Sequence, residues 1–236
     1  MAREVERKWL VSRKSTQKYL NVMLSPQTIG DSHFYPQVTR TFIKQHYLVD
    51  ANAMVSFNTH ELVWDVLIKN GCDHPVTFRI PIKPSDITQA LEIFGNRQVT
   101  SLELDKVDIS IRATPHNSNL EFRVKIDHPK GGRYEFEKSM SNNVASGVLD
   151  FVWRDFMHNN PYKVEKTRYE FLLLNGLKHS IDMFGDNDDT YYEIEETSGS
   201  SSVNDINLPV DIEVIEELTG SYGNKERAIA YGKAHS

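Results

Sequence analysis

The sequence is poor in cysteine, since Cys72 is the only one among 236 residues. A single thiol excludes a disulfide framework and any metal site that needs several thiolates. A reducing compartment, the cytosol, is the expected location of such a chain. None of the nine histidines lies at a metal-ligand spacing such as His-x-x-x-His, so a histidine-based metal site is not indicated.

Long apolar segments are also missing from the sequence. No run is long enough to cross a bilayer, and the first eight residues lack the apolar core of a signal peptide. We therefore expect no membrane partner and a cytoplasmic protein.

A basic surplus is missing as well, because the formal net charge is −6. Nucleic-acid binders usually carry excess positive charge, so nucleic acid is not an expected partner. A small anionic ligand remains possible, because a local basic cluster can outweigh a distant acidic surface. Hydrophobic and charged fractions of 39% and 25% are ordinary for a globular protein.

Short strands separated by turn residues dominate the pattern of the chain. We predict helices over Ser15–Leu24, from Thr59 to near Gly71, from Ser85 to Gly95 and over Val144–Phe156. The predicted strands are Glu4–Val11, Val38–Leu48, Val76–Ile82, Val107–Arg112, Leu120–Ile126, Arg133–Lys138, Val164–Leu174, Lys178–Phe184 and Tyr191–Glu195.

Six of these strands carry polar or ionisable groups at every second residue, and such residues share one face of a strand. They are Glu4, Glu6 and Lys8; Ser110 and Arg112; Arg123 and Lys125; Arg133, Glu135 and Glu137; Lys166 and Arg168; and Glu193 and Glu195. A solvated outer face would explain this pattern in any one strand, but its occurrence in six strands makes that explanation weaker. If the sheet closes into a barrel, its interior is lined by both signs of charge. Cations suit phosphate oxygens and carboxylates suit Mg²⁺ or Mn²⁺, so together they suit a metal-bound polyphosphate.

The same strands carry the motifs of a known family. Glu4-Val5-Glu6-Arg7-Lys8 matches an opening Glu-x-Glu-x-Lys, Lys166-Thr167-Arg168-Tyr169 matches Lys-Thr-Arg-Tyr, and Glu193-Ile194-Glu195 matches a closing Glu-x-Glu. Further similar segments are Gln45-His46-Tyr47-Leu48, Phe122-Arg123-Val124-Lys125, Arg133-Tyr134-Glu135-Phe136-Glu137 and Ile181-Asp182-Met183-Phe184. In this order they resemble the CYTH, or triphosphate tunnel metalloenzyme, family.

The resemblance implies an α+β fold, a closed antiparallel β-barrel with flanking helices. It implies one tunnel domain over residues 1–236, with an inserted α/β segment at about 52–106, for which we expect two helices and one or two strands. The Ser-rich segment at about 197–207 is expected to be a mobile loop.

The roles of the family carry over residue by residue. Catalysis is expected from Glu4, Glu6, Lys8, Lys166 and Arg168. The phosphate oxygens are expected to be held by Lys8, Arg112, Arg123, Lys125, Arg133, Lys166 and Arg168. A Mg²⁺ or Mn²⁺ cofactor is expected on Glu4, Glu6, Glu135, Glu137, Asp182, Glu193 and Glu195, with Glu135 and Glu137 alternatively orienting the cations.

This chain departs from the family at one phosphate-binding position. The usual Arg-x-Arg is Ser110-Ile111-Arg112 here, and Arg123 stands where the family has threonine. Arg123 is expected to supply the missing guanidinium, whose planar fork pairs with two phosphate oxygens. The alternative is that Arg123 only balances Glu135 or Glu137.

The resemblance predicts a metal-dependent hydrolase of a triphosphate compound: inorganic triphosphate, a nucleoside triphosphate or thiamine triphosphate. Two alternatives stay open. One is an adenylate cyclase of the class IV type on the same scaffold, and the other is a non-catalytic binder of a polyphosphate or nucleotide. The motifs do not distinguish among the substrates, and they do not indicate an oligomeric state.

Overall fold

A computed structural model of the chain describes residues 5–24, 37–69, 75–95, 97–114, 117–129, 132–140, 155–173, 175–185, 188–197, 200–221 and 223–235. It divides into two compact units. The N-terminal unit comprises Ala2–Ile43 and Glu165–Ser221, and the central unit comprises Lys44–Val164 and Tyr222–Ser236.

The strands of the described residues, in chain order, are β1 (Glu6–Val11), β2 (Thr39–Tyr47), β3 (Ala53–Asn58), β4 (Val63–Ile68), β5 (Val76–Pro81), β6 (Val99–Ser101), β7 (Asp108–Thr114), β8 (Asn117–Asp127), β9 (Arg133–Met140), β10 (Lys163–Leu172), β11 (Lys178–Phe184), β12 (Thr190–Glu195) and β13 (Val214–Glu217). The helices are α1 (Arg13–Leu24), α2 (Ile87–Phe94) and α3 (Gly223–His235), with 3₁₀ turns at Pro84–Asp86 and Val203–Asp205.

The N-terminal unit is an antiparallel sheet in the order β13-β1-β12-β11-β10. The apolar face of this sheet packs against α1. The resulting hydrophobic core includes Trp9, Ile181 and Ile194 of the sheet and Leu20 of the helix. Because side chains alternate along a strand, the even-numbered residues of β11 lie on the opposite face from Ile181. That opposite face carries Asp182, which is completely buried.

The central unit contains two antiparallel sets of strands, in the orders β2-β7-β8-β9 and β5-β4-β3-β6. They share one hydrophobic core, in which Trp64 of β4 lies 5.4 Å from Phe136 and 6.5 Å from Phe122, measured between ring centroids. The inserted segment therefore packs on the apolar face of β7–β9, and the polar face of those strands remains on the other side.

The helix predicted from Thr59 to near Gly71 is wrong, because Val63–Ile68 is strand β4 and pairs with both β3 and β5. Its buried residues Trp64, Val66 and Ile68 alternate with period two. Before the strand, the Asn58 side-chain oxygen accepts hydrogen bonds from the backbone of residues 60 and 61, closing a turn instead of capping a helix. The inserted segment thus has four described strands and one helix, where we expected two helices.

The predicted helices at Ser15–Leu24 and Ser85–Gly95 are confirmed as α1 and α2, and Gly95 ends α2 at a φ of 61°. Most of the predicted helix Val144–Phe156 lies outside the described residues. The described part at its end and just after it, residues 155–159, is helical. Helix α3 was not predicted.

These elements confirm a fold of helices with a large antiparallel sheet. The closed barrel and the single tunnel domain stay predictions. Among the described residues, each helix is too short or too polar to cross a bilayer.

Candidate functional site

The polar face of the N-terminal unit holds a network of charges on four strands, which we call the N-terminal charge cluster. Its members are Glu6, Lys8, Lys166, Arg168, Asp182, Glu193 and Glu195. Cross-strand register brings them together, since Arg168 lies opposite Asp182, Lys8 opposite Glu193, and Glu6 opposite Glu195. The period-two pattern of the sequence is what places them on one face.

Asp182 lies at the centre of this cluster and bonds two cations. Its Oδ1 accepts from Arg168 Nε at 2.6 Å, while its Oδ2 accepts from Arg168 Nη2 at 2.6 Å and from Lys166 Nζ at 2.5 Å. The Lys166 and Asp182 side chains are both fully enclosed. The two cations of the Lys-Thr-Arg motif are therefore held on a single carboxylate.

Glu193 links this group to the first strand. Its Oε2 accepts from Arg168 Nη2 at 2.8 Å, and its Oε1 lies 2.9 Å from Lys8 Nζ. Lys8 Nζ is also 3.6 Å from Glu6 Oε1. Further along β12, Glu195 forms an ion pair with Lys178, which is more exposed than the other cations of the face.

The electrostatics of this cluster follow from burial and close opposite charges. Burial raises the pKa of Asp182, but Arg168 and Lys166 outweigh it and hold that pKa below its ordinary value. Burial likewise raises the pKa of Glu193, but Lys8 and Arg168 outweigh it and hold that pKa well below its ordinary value. Burial lowers the pKa of Lys166 to about 8, although Asp182 opposes the shift. The carboxylates therefore stay ionised at neutral pH.

The polar face of the central unit holds a second group, the central charge cluster: Asp108, Arg112, Glu121, Arg123, Lys125, Asp127, Arg133, Glu135 and Glu137. Arg123 Nη2 on β8 bonds to both Glu135 and Glu137 on β9. Lys125 Nζ lies 3.3 Å from Glu135 Oε1. Four predicted site residues thus meet on two adjacent strands.

Arg112 and Arg123 lie on either side of Glu121, a residue that the motifs did not single out. Glu121 Oε2 is 3.8 Å from Arg112 Nη1 and 3.6 Å from Arg123 Nε. Burial, reinforced by the carboxylate of Glu137, raises the pKa of Glu121 to about 7. Because Glu121 lies two residues before Arg123 on β8, the two side chains share one face, and this spacing could have identified Glu121 from the sequence.

Ser110 occupies the position where the family resemblance expects an arginine. It is buried, accepts a 2.8 Å hydrogen bond from Gln45 Nε2 and lies directly across from Arg123. Ser110 is therefore part of a neutral hydrogen-bonded pair with Gln45.

Arg133 and Asp108 complete the central charge cluster. The Arg133 guanidinium is buried, with Nε 3.4 Å from Asp127 Oδ1. Asp108, which sequence reasoning missed, is buried opposite Lys125. Burial raises the pKa of Asp108, although Lys125 and Lys225 oppose that rise.

The predicted site residues therefore fall into two charge clusters, each within one unit. Glu4 lies outside the described residues, so its place in the site stays a prediction. The N-terminal charge cluster contains Glu6, Lys8, Lys166, Arg168, Asp182, Glu193 and Glu195, and the central one contains Arg112, Arg123, Lys125, Arg133, Glu135 and Glu137.

Oxygen ligands of the type that Mg²⁺ and Mn²⁺ prefer are present on β1 and β12. Glu6 and Glu195 face each other across the two strands, and Glu193 is two residues from Glu195. The donor chemistry of these side chains fits a divalent cation. In the described ranges, however, no three acidic, histidine or cysteine side chains are already arranged as a metal site.

No protein-family model matches this sequence, and no curated protein matches it either. Among solved structures, the chain is similar to an inorganic triphosphatase at a TM-score of 0.42 and 17% identity, over 97% of this chain and 96% of that one. It is similar to a conserved hypothetical protein from Pyrococcus furiosus at a TM-score of 0.41 and 12% identity, over 84% and 80% of the two chains.

A further similar structure is a putative adenylyl cyclase from Hippeastrum with a dominant triphosphatase activity, at a TM-score of 0.36 and 11% identity, over 82% and 80% of the two chains. With TM-scores below 0.5, these similarities carry no argument about the activity of this chain.

Proposed function

We propose that this protein hydrolyses a triphosphate compound with the help of Mg²⁺ or Mn²⁺. The observation that carries the proposal is the N-terminal charge cluster, in which Lys8, Lys166 and Arg168 are buried on one face together with Glu193. Burying three cations with their carboxylate partners costs free energy that a hydrophobic face would not incur, so this arrangement indicates a site for a charged ligand such as a metal-bound phosphate.

The cations would bind the non-bridging oxygens of the substrate. Phosphoryl transfer passes through a loose transition state with charge spread over these oxygens, and a protein accelerates it mainly by positioning and charge stabilisation. Arg168 presents a planar guanidinium and Lys8 a point charge. Since both are already held by carboxylates, they need little reorganisation when charge develops on the substrate.

The carboxylates would hold the cofactor. Glu6, Glu193 and Glu195 are the described residues best suited to it, with Glu4 as the expected fourth. A bound divalent cation would neutralise phosphate charge and lower the pKa of a water molecule. No side chain of either cluster needs to act as a covalent nucleophile.

The central charge cluster would supply a second set of phosphate ligands. Arg112, Arg123, Lys125 and Arg133 are the candidates, and the neighbouring carboxylates of Glu135 and Glu137 would orient them or contribute to the cofactor site. The closed β-tunnel that the family resemblance implies stays a prediction.

The proposal is tested by incubating the purified protein with inorganic triphosphate, ATP, GTP or thiamine triphosphate, with Mg²⁺ and then with Mn²⁺. We expect metal-dependent release of orthophosphate from at least one of them. Lys166→Met should abolish the release, and Lys69→Met, directly after strand β4 of the inserted segment, should not.

Each remaining outcome identifies an alternative. Pyrophosphate and a cyclic nucleotide from ATP would identify a cyclase. Tight binding of a triphosphate without any product would identify a binding protein, the outcome that Ser110 in place of an arginine favours. Absence of both binding and turnover would overturn the proposal.

A further inference from the structure

Asp182 has none of its surface exposed, and within the N-terminal charge cluster only the Lys166 side chain is enclosed as completely. Both of its carboxylate oxygens accept hydrogen bonds from cations, at 2.5–2.6 Å from Lys166 Nζ, Arg168 Nε and Arg168 Nη2. The residue is therefore already engaged in three charge-assisted bonds, which are among the strongest that proteins form.

A divalent metal would have to compete with these bonds. Mg²⁺ lies about 2.0–2.1 Å from its ligand oxygens. At Asp182 such an ion would stand close to the Lys166 ammonium and the Arg168 guanidinium, and like charges at this separation repel strongly inside a protein. Displacing the two cations would also leave them buried without a counter-charge.

The carboxylates at the other end of the cluster are placed differently. The side chains of Glu6 and Glu195 are 13% and 26% exposed, and the Lys178 partner of Glu195 is 37% exposed. A partly exposed lysine can move into water when a metal takes its carboxylate, at little cost. Glu195 therefore suits exchange between a lysine and a metal, and Glu6, directly opposite Glu195 on β1, is also partly exposed. Asp182 has neither property.

Asp182 does suit the fixing of two cations. Lys166 and Arg168 are two residues apart on β10, so their charges lie on one face and repel each other. The bidentate bond from Arg168 to Asp182 sets the plane of the guanidinium, and the third bond ties Lys166 to the same carboxylate. Arg168 Nη2 also reaches Glu193.

We infer that Asp182 is a positioning residue and not a metal ligand: it fixes Lys166 and Arg168 on the face where the phosphate groups are proposed to bind. This inference rests on the proposed triphosphate chemistry and replaces the metal role that the family resemblance assigned to Asp182.

The test compares the wild type with Asp182→Asn and Glu195→Gln. Mn²⁺ binding is titrated by electron paramagnetic resonance without substrate, and binding of inorganic triphosphate is titrated by calorimetry without metal. For Asp182→Asn we expect a Kd for Mn²⁺ within twofold of the wild type and a Kd for triphosphate at least tenfold weaker. Glu195→Gln should show the reverse pattern. A general loss of structure would weaken the binding of both ligands together. A loss of triphosphate affinity at unchanged Mn²⁺ affinity therefore distinguishes a positioning role from a folding defect.

Two results would overturn the inference: a tenfold loss of Mn²⁺ affinity in Asp182→Asn at unchanged triphosphate affinity, or unchanged affinity for both. If Asp182→Asn does not fold, anomalous scattering from wild-type crystals grown with Mn²⁺ decides. A Mn²⁺ ion within about 2.5 Å of an Asp182 oxygen refutes the inference, and a Mn²⁺ ion on Glu6 and Glu195 supports it. Wild-type protein that neither binds nor hydrolyses triphosphate overturns the proposed function itself, which is a different result from any of these.

Discussion

Ser110 and Arg123 are direct partners across strands β7 and β8, and both are buried. Arg123 extends to Glu135 and Glu137 on the next strand, while Ser110 bonds to Gln45 on the other side. Arg123 thus carries a guanidinium on the same polar face as Ser110, one strand away from the position where the family resemblance expects an arginine.

Replacing Arg123 by threonine tests whether this guanidinium binds phosphate. If it does, affinity for inorganic triphosphate should fall by about 1.5–3 kcal/mol, the usual range for a hydrogen bond to a charged group. Adding Ser110→Arg in the Arg123→Thr background should recover part of the loss. Calorimetric titration of the single and double variants measures both effects.

The alternative is that Arg123 only neutralises Glu135 and Glu137. Arg123→Thr would then lower the melting temperature and leave triphosphate affinity unchanged, so melting curves accompany each titration. Arg79→Thr is the matched control, because Arg79 on β5 of the inserted segment forms ion pairs with Asp65 and Glu61 of the same segment. Its triphosphate affinity should equal that of the wild type.

Most residues of both charge clusters were predictable because a strand places every second side chain on one face, although Asp108, Glu121 and Asp127 were missed. Arg123 and Lys125, or Lys166 and Arg168, are recognisable without knowing their neighbours in space. The contacts between strands were not predictable in this way. That Asp182 is held by two cations depends on the register of β10 with β11, which no single strand encodes.

The segment from Asn58 to Ile68 shows why local patterns failed elsewhere. Leu62, Val63, Val66 and Leu67 fit a helical spacing, but Trp64, Val66 and Ile68 fit a strand equally well. The segment forms a strand because it pairs with β3 on one side and β5 on the other. Short apolar runs stay ambiguous between the two periods until tertiary partners are known.

Glu6→Gln should remove metal binding with little effect on folding. The amide keeps the shape of the side chain but lacks the negative charge that Mg²⁺ or Mn²⁺ requires. We expect at least a tenfold weaker Kd for Mn²⁺ and a melting temperature close to that of the wild type, measured by paramagnetic resonance and differential scanning calorimetry. Glu216→Gln on the exposed face of β13 is the control. Wild-type Mn²⁺ affinity in Glu6→Gln would show that this carboxylate is misassigned.

Trp64→Ala should destabilise the central unit by about 3–5 kcal/mol, the usual cost of removing a buried aromatic side chain. Trp64 is buried between the inserted strands and the aromatic residues Phe122 and Phe136. Urea unfolding followed by circular dichroism measures the loss. Val99→Ala is the control, because Val99 is 52% exposed and its truncation should cost far less. A loss below about 1 kcal/mol would mean that the inserted segment is only loosely attached.

His179 should make the stability of the protein depend on pH between about 4 and 6.5. It is buried, its Nδ1 lies 2.9 Å from the Tyr192 hydroxyl, and its ring stacks on Phe171. Burial lowers its pKa from 6.5 to about 4. Below pH 6.5 the unfolded chain binds a proton that the folded protein still excludes, so the contribution is complete above pH 6.5 and is lost as the pH falls towards 4. A shift of this size corresponds to about 3 kcal/mol.

His179→Gln keeps a polar group for Tyr192 and does not titrate, so its unfolding free energy should fall less than that of the wild type between pH 7 and pH 4.5. His158→Gln, at an exposed position, should follow the wild-type curve. Parallel pH profiles for wild type and His179→Gln, from urea unfolding at each pH, would show that His179 is protonated in the folded protein and that its burial does not exclude the charge.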